Sequence, residues 1–304
     1  MANEALNAAA RRAERAVPPQ SAARRVLAGR TLPGRTLAGL ARAVGDLLYP
    51  PACPACAADT AGRGLCGACF AETRFLDGPA CATCGQPEPA LPHHDPAYRC
   101  PTCLAEPPPL DSLTAVATYS GAARSLVLAL KHGDRLDHVP LLAGWLHRRA
   151  ADRLSAADAI IPVPLHWRRC LARRFNQSAE IARAAARLAG NAQAFDPAIL
   201  TRHRATPSQQ GRDRAERRAN VAGAFSARPG SLIDRRVLLI DDVATSGATL
   251  AEAARICRHA GAAEVHAAVI ALALRPRAPY LAETDGDTPP ATPPATEPEG
   301  PHGH

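Results

Sequence analysis

The sequence predicts an α/β fold in which helices flank a parallel sheet, preceded by a cysteine-rich segment that binds metal. Two observations support this prediction. Over residues 109–278, short apolar runs that suit buried strands alternate with longer segments of helical periodicity. Over residues 37–108, eight cysteines stand as four CxxC pairs, a spacing typical of metal-binding knuckles.

Length and composition set the broad class of protein. The chain has 304 residues, and its 47% hydrophobic content is enough to build a core and to exclude wholesale disorder. The formal net charge of +8 favours anionic partners such as phosphates or nucleic acid. No stretch approaches 18 uncharged apolar residues, so no membrane-spanning helix is predicted.

Both ends of the chain are expected to lie outside the folded domains. Residues 1–36 are rich in Ala and Arg and are interpreted as a disordered or helical extension, with a transit peptide as the alternative. They lack an apolar run with a small-residue cleavage site, so a secretory signal is not expected. Residues 279–304 are rich in Pro and acids and predict a disordered tail, because they cannot bury enough apolar surface to offset chain entropy.

The four CxxC pairs predict two zinc sites. Four thiolates in a tetrahedron match the geometry and softness of Zn²⁺, and a shell of four cysteines leaves no open position for catalysis, so the sites are interpreted as structural. Sequential pairing would place the first two pairs on one ion and the last two on the other, while an interleaved arrangement stays open. The pairs are Cys53 with Cys56, Cys66 with Cys69, Cys81 with Cys84, and Cys100 with Cys103.

Three other uses of these cysteines fit the sequence less well. A disulfide framework suits a small secreted domain, which the rest of the chain does not resemble. A redox CxxC would not need four copies, and an iron–sulfur site is a minor alternative. The isolated Cys170 and Cys257 are predicted to be small buried or half-buried hydrophobic residues.

Local patterning predicts the elements of the α/β region. Apolar or β-branched runs predict strands over 112–119, 158–164, 237–240 and 265–274. Helical spacing predicts helices over 122–130, 139–154, 176–188 and 248–260.

The segment after Val237 carries the pattern that predicts a ligand site. An apolar strand ends in two adjacent acids, and a short loop with hydroxyl residues and one glycine then opens a helix. Open sheets bind ligands at the carboxyl ends of their strands, and a helix N-terminus offers free N–H groups to phosphate. The acids can accept hydrogen bonds from ribose hydroxyls or hold a metal-bound diol. The candidate residues are Asp241, Asp242, Val243, Ala244, Thr245, Ser246, Gly247, Ala248 and Thr249.

This segment resembles the phosphoribosyl-pyrophosphate (PRPP) loop of type I phosphoribosyltransferases, in which two acids precede a T-x-G-x-T-like turn. The segments IPVPLHWRR from Ile161, RRFNQ from Arg173, TPSQQ from Thr206 and RRANVAGAF from Arg217 add a closer resemblance, to the ComF family. That family includes the competence protein F and GntX-like proteins and joins a double zinc ribbon to a type I phosphoribosyltransferase-like domain.

The resemblance covers about residues 40–275 and departs from the family pattern at two positions. Arg174 stands where the family commonly has Gly, and Arg212 where it often has Leu. At Arg174 a side chain in place of Gly would hinder close approach of the backbone to a ligand. At Arg212 a charged side chain in place of Leu would weaken apolar docking of the segment 201–220.

The resemblance implies roles for further residues. An Arg-rich loop after the second strand would bind pyrophosphate, since guanidinium groups suit diphosphate, although a solvated basic loop has the same composition. Residues 201–220 would form a mobile lid over the site, with a nucleic-acid contact as the alternative. The candidate pyrophosphate ligands are Lys131, Arg168, Arg169, Arg173 and Arg174, and for Lys131 a plain surface charge is an equal alternative.

Two functional hypotheses follow from the resemblance. In the first, the chain binds PRPP with Mg²⁺, is linked to DNA uptake in natural transformation, and either transfers the phosphoribosyl group to an unknown acceptor or has lost that activity. In the second, it is a non-catalytic single-stranded DNA-binding or regulatory component of uptake that reuses the loop as a sensor. Both imply a cytoplasmic protein, with the inner face of the cytoplasmic membrane as an alternative site, and a competence helicase as a candidate partner.

Overall fold

A computed structural model describes residues 50–275 with gaps at 63, 92, 94, 133–134, 167–174 and 205–213. The described residues from Pro51 onward belong to one compact unit. Several sequence predictions lie outside the described residues: the extensions 1–36 and 279–304, Cys170, Arg168, Arg169, Arg173 and Arg174.

The elements alternate as the sequence predicts, and the ribbon region contributes two short helices. In chain order they are α1 (Gly67–Glu72), α2 (Pro101–Ala105), β1 (Ser112–Thr118), α3 (Gly121–His132), α4 (Val139–Ala156), β2 (Ala159–Pro162), α5 (Gln177–Leu188), β3 (Leu200–Arg202), α6 (Arg214–Val221), β4 (Phe225–Ala227), β5 (Arg236–Ala244), α7 (Ala248–His259) and β6 (Glu264–Leu272). Short 3₁₀ turns occupy Leu136–His138 and Ala192–Ala194.

A parallel sheet of four strands, in the order β1-β6-β5-β2, forms the centre of the described part of the chain. Strand β5 extends beyond the predicted end at Ile240, because its ladder with β6 continues to Ala244 opposite Leu272. The predicted parallel α/β sheet with flanking helices is confirmed.

Helices cover both faces of the sheet, which explains why its central strands β5 and β6 consist mostly of apolar residues. On one face α3, α4 and α5 bury side chains such as Leu126, Leu146 and Ile181. On the other face α7 packs Leu250 and Cys257 against the sheet. Cys257 is fully buried, as predicted, and burial raises its pKa to about 12.

Regular structure occupies both ends of the segment 201–220, which the sequence predicted as one mobile loop. Strand β3 pairs antiparallel with β4, and the two strands bury Leu200 and Phe225 against the α7 face of the sheet. Helix α6 ends at the buried Val221 and packs beside α7, where Glu252 accepts a hydrogen bond from Gly223 N at 2.7 Å. Apolar side chains therefore anchor the two described ends of this segment.

The cysteine-rich region is joined to the sheet by backbone hydrogen bonds along the edge strand β1. Leu76 N donates to Val116 O at 2.8 Å, and Thr118 N donates to Arg74 O at 2.9 Å. The ring of Phe75 packs edge-on against Trp145, with 5.3 Å between centroids. This short segment satisfies part of an otherwise open sheet edge.

A second contact joins the later knuckles to the chain that follows β6. The Gln86 side chain donates to Ala273 O at 3.0 Å and accepts from Arg275 N at 3.1 Å. The neighbouring Gly85 has φ +68°, and a Cβ placed there would lie 2.8 Å from the carbonyl oxygen of Leu113. Only glycine allows the knuckle to approach β1 this closely.

We expect Gly85→Ala to lower the free energy of unfolding by about 1–3 kcal/mol, because it combines a left-handed conformation with a clash against fixed backbone. Thermal unfolding of the zinc-loaded chain measures the effect. The matched control is Gly78→Ala, where a Cβ meets no atom within 4 Å and φ is not positive. Equal melting temperatures for the two variants would contradict this account of the docking.

Candidate functional site

The eight knuckle cysteines form two separate clusters, each of four sulfur atoms that lie within 4.8 Å of one another. The clusters follow the sequential pairing, so the interleaved alternative is not adopted. The described cysteines are all free, which excludes the disulfide framework among them. The first cluster holds Cys53, Cys56, Cys66 and Cys69, and the second holds Cys81, Cys84, Cys100 and Cys103.

The sulfur spacing fits zinc. Cys56 Sγ lies 3.7 Å from Cys66 Sγ, and Cys84 Sγ lies 3.7 Å from Cys100 Sγ. Sulfur atoms about 2.3 Å from a tetrahedral Zn²⁺ stand roughly 3.8 Å apart, so each cluster has the dimensions of a four-thiolate site.

Hydrogen bonding within the second cluster favours a thiolate. Cys100 N donates to Cys81 Sγ at 3.2 Å. A hydrogen bond from Cys84 and this backbone group lower the pKa of Cys81 to about 4, although burial opposes ionisation. A cation between the sulfur atoms would stabilise the remaining thiolates in the same way. Four cysteine ligands complete a tetrahedral shell, so both sites are structural.

The two acids predicted at the end of β5 lie side by side, and each has a protein partner. Asp241 Oδ1 accepts from Ser178 Oγ and from Asp242 N, both at 2.9 Å. Asp242 is buried, with 6% of its surface exposed, and its Oδ1 lies 3.1 Å from Lys131 Nζ. Residues from α3, α5 and β5 therefore meet at this point.

These partners do not fully offset the electrostatic repulsion and desolvation of two adjacent carboxylates. Burial and the neighbouring charge of Asp242 raise the pKa of Asp241 to about 7, while Lys131 and Ser178 act in the opposite direction. Near neutral pH this carboxylate is poised between its two protonation states.

The loop after the acids leaves the start of α7 open. Gly247 has φ +76°, and a Cβ there would meet no atom within 4 Å, so the space above the loop is free. Among the described residues, the one side-chain acceptor bonded to the first helical N–H is Ser246 Oγ, 3.4 Å from Ala248 N, which is a long and weak bond. The first-turn amides therefore point, with the positive end of the helix dipole, at an accessible space.

The structure divides the predicted ligand residues into three groups. Val243 and Ala244 belong to β5, and Ala244 O accepts from Ala273 N, so the turn itself is Thr245, Ser246 and Gly247. Lys131, predicted to contact pyrophosphate, lies against Asp242. The four arginines of the predicted pyrophosphate loop lie outside the described residues.

Sequence reasoning missed Ser178, which contacts Asp241. Asn176 caps α5, as its residue type predicts, by accepting from Ser178 N at 3.1 Å. The Asn176 amide also donates to Val163 O at 3.0 Å, which ties the helix start to the end of β2. The sequence did offer a signal for this contact: Ser178 is a hydroxyl residue two positions after the N-cap of a helix that packs beside the strand ending in the two acids.

Comparison with known proteins identifies both parts of the chain. A model of the double zinc ribbon domain matches residues 44–104, and a model of the phosphoribosyl transferase domain matches residues 176–288. The DNA utilization protein YhgH of Escherichia coli K12 is 35% identical over 207 residues, which cover 66% of this chain and 87% of that protein. The chain belongs to the ComF family.

Other ComF relatives agree with this assignment. The YhgH protein of Salmonella typhimurium is 32% identical over 66% of this chain and 94% of its own length. Competence protein F of Haemophilus influenzae is 29% identical over 67% of this chain and 89% of its own length. The resemblance inferred from the motifs is confirmed.

Among solved structures, the glutamine PRPP amidotransferase of B. subtilis aligns with 41% of this chain and 26% of its own length, at 23% identity and a TM-score of 0.25. That score is too low to support an argument. No helix within the described residues is long and apolar enough to cross a membrane.

Sequential pairing predicts which cysteine variants lose which metal. Elemental analysis should find about two zinc ions per chain in the parent protein and about one in Cys56→Ser/Cys66→Ser, whose two changes fall in one cluster. Cys56→Ser/Cys84→Ser should lose both ions, because it damages both clusters. Cys257→Ala is the control and should keep two ions. The reverse pattern between the two double variants would contradict sequential pairing.

Proposed function

We propose that this ComF-family chain binds PRPP, accompanied by Mg²⁺, at the loop after β5, and that this binding serves DNA uptake in natural transformation. The observation that carries the proposal is the acid pair beside an open helix N-terminus, at the carboxyl ends of parallel strands. Carboxylates suit a ribose diol and helix amides suit a phosphate, so the two halves of the site match the two halves of one ligand.

Each of the two acids has one carboxylate oxygen that could accept a hydrogen bond from a ribose diol. Each carboxylate uses its Oδ1 atom for partners within the protein, and no bond within the described residues engages either Oδ2. Ser178 and Lys131 thus hold Asp241 and Asp242 in place and leave one oxygen of each for the ligand hydroxyls.

The loop supplies the phosphate-binding half of the site. The first-turn N–H groups of α7 and the hydroxyls of Thr245, Ser246 and Thr249 would surround a 5′-phosphate. The left-handed Gly247 lets the backbone turn toward it without a side chain in the way. Because α7 has 12 residues, its dipole adds favourable charge at this end.

The pyrophosphate half of the ligand would require a change of partner at Lys131. Its ammonium group lies 3.1 Å from Asp242, and 21% of the side chain is exposed. Contact with pyrophosphate would move Nζ away from Asp242 while a ribose hydroxyl takes its place. Mg²⁺ would supply charge neutralisation at the pyrophosphate, together with the arginines predicted there.

Two outcomes of PRPP binding fit this arrangement. In a transfer reaction the bond from ribose C1 to the pyrophosphate oxygen breaks, a bond to an acceptor nucleophile forms, and pyrophosphate leaves. Such a reaction needs positioning and charge neutralisation more than covalent participation by the protein. Alternatively the chain binds PRPP without turning it over, and the loop acts as a sensor.

The link to DNA uptake rests on the relatives and on charge. Their names are DNA utilization protein and Competence protein F, and this chain carries a net charge of +8. A non-catalytic component that binds single-stranded DNA is the second candidate function. This candidate function predicts that the chain binds single-stranded DNA with an affinity that falls steeply as the salt concentration rises. It also predicts that the chain binds PRPP without releasing pyrophosphate.

Asp241→Asn tests the ligand site directly. The variant keeps the shape of the side chain but removes the negative charge, so PRPP with Mg²⁺ should bind about 10- to 100-fold more weakly, the loss expected for a hydrogen bond to a charged group. Isothermal calorimetry on the zinc-loaded chain measures the affinity, and the exposed Asp77→Asn is the matched control. Absence of heat from the parent protein, or equal affinity in Asp241→Asn, would overturn the proposal.

The raised pKa of Asp241 predicts how stability depends on pH without any ligand. A pKa near 7 in the fold, against about 3.8 when unfolded, gives a contribution that is full below pH 3.8 and is lost as pH rises through 7. The parent protein should therefore lose several degrees of melting temperature between about pH 5 and pH 7, and its melting temperature should level off above about pH 8.

Asp241→Asn should show a smaller fall over the same range, because an amide does not ionise. Asp77→Asn should follow the parent protein. Parallel melting curves for Asp241→Asn and the parent would show that this carboxylate ionises without strain and would contradict the account.

A further inference from the structure

An exposed aromatic ring lies where the first cysteine cluster packs on the rest of the fold. Phe70 belongs to α1, and 54% of its surface is exposed, although phenylalanine is a residue that proteins usually bury. Its ring packs on Phe75 with 5.4 Å between centroids, and Phe75 packs in turn against Trp145 of α4. Phe70 is therefore an accessible ring on a support that is itself packed.

Three exposed arginines lie around this ring. Arg74 belongs to the segment that covers β1, where its carbonyl oxygen accepts from Thr118 N. Arg149, one helical turn after the tryptophan of α4, donates from Nε to Leu76 O at 2.9 Å, which places it beside the same segment. Arg148 precedes it on α4, and all three side chains are exposed. A group of cations thus extends from the ribbon onto α4.

Most of the hydrogen-bonding capacity of these arginines is unused. Arg74 and Arg148 form no side-chain hydrogen bond or ion pair with the residues that the structure describes. Arg149 uses its Nε atom, and no bond within the described part of the chain engages its two terminal amino groups. The exposed acids of the same segment are Glu72 and Asp77, so the arginines outnumber the acids and the surface is positive.

An accessible ring beside free guanidinium groups has the chemistry that binds a single strand of nucleic acid. Aromatic side chains stack on bases of any sequence, and cations along the strand neutralise its phosphates. The bases of a duplex are already stacked on one another, so a duplex offers this surface phosphates alone.

The charge of the surface decides which occupant fits it. An apolar protein partner would match the ring of Phe70 and would leave the arginines without counter-charges. Residues 1–36 of this chain carry seven arginines and two glutamates, so a surface of the same sign repels them. A strand that carries both bases and phosphates matches the ring and the cations together.

We propose that single-stranded DNA binds at the Phe70 surface, which consists of Phe70, Arg74, Arg148 and Arg149, with a base on the ring and phosphates on the arginines. The proposal rests on the second candidate function, binding of single-stranded DNA, and gives that function a place on the molecule. It does not depend on PRPP binding at the acid pair, which uses other residues.

The first test separates base stacking from plain apolar contact. A fluorescein-labelled oligothymidylate of about 12 nucleotides is titrated with the full-length zinc-loaded chain, and anisotropy gives the affinity. Phe70→Leu keeps an apolar side chain but removes the aromatic face, so the affinity should fall about 5- to 100-fold. Phe70→Trp should bind at least as tightly as the parent protein, and its added fluorescence should be quenched by the bound oligonucleotide.

The second test counts phosphate contacts through the salt dependence. For single strands, the slope of log affinity against log salt concentration is about −0.7 per phosphate contact. Arg74→Gln/Arg148→Gln should therefore reduce the magnitude of this slope by about 1.4, and Phe70→Leu should leave it unchanged. The two kinds of variant thus lose affinity in distinguishable ways.

Matched controls come from α5, where Leu188 is exposed to the same degree as Phe70, at 53%, and lies beside the exposed Arg187. Leu188→Ala and Arg187→Gln should bind the oligonucleotide like the parent protein. Zinc content and melting temperature of each variant verify that the ribbon is intact. Asp241→Asn should keep full affinity for the oligonucleotide, and Phe70→Leu should keep full affinity for PRPP.

The outcomes separate this proposal from the function on which it rests. Absence of oligothymidylate binding by the parent protein at low salt would overturn both. Binding by the parent that Phe70→Leu and Arg74→Gln/Arg148→Gln leave unchanged, or that the α5 controls weaken equally, would overturn the Phe70 surface alone. Equal affinity for a duplex of the same length would overturn stacking on Phe70.

Discussion

Two adjacent carboxylates at the end of a buried strand impose the constraint on which the candidate site depends. Like charges in a poorly solvated place repel, so each needs a compensating donor. Asp242 pairs with Lys131 from α3, and Asp241 accepts a hydrogen bond from Ser178 of α5. Both helices pack on the same face of the sheet, which brings these partners to the acids. The compensation is incomplete, as the pKa of Asp241 shows, and a ligand that meets the free oxygens would complete it.

The zinc ribbons form part of the same structure. Their segment has few large apolar residues, so metal binding must supply much of its folding free energy. They join the sheet through backbone at β1, through Gln86 after β6, and through the close approach at Gly85. Cys84 and Cys103 line a cavity that residues 244–248 also line, so the second metal site lies close to the loop before α7.

The predictable features are those encoded within a few residues of sequence. The CxxC spacing predicted both metal sites, and apolar runs predicted the four strands of the parallel sheet to within a few residues, because these patterns depend on local geometry. Long-range pairings were not predictable: Gln86 meets Ala273 across 187 residues, and Lys131 meets Asp242 only once α3 has packed. The pairing of β3 with β4 was not predicted, because its buried residues, Leu200 and Phe225, stand on either side of a long polar segment.

The most direct measurement is a crystal structure of the zinc-loaded chain grown with PRPP and Mg²⁺. The account predicts the 5′-phosphate within hydrogen-bond distance of the amides at the start of α7, and the ribose hydroxyls on Asp241 and Asp242 with Lys131 moved from its carboxylate. A ligand bound away from this loop, or an acid pair that keeps Lys131 and meets no hydroxyl, would contradict it.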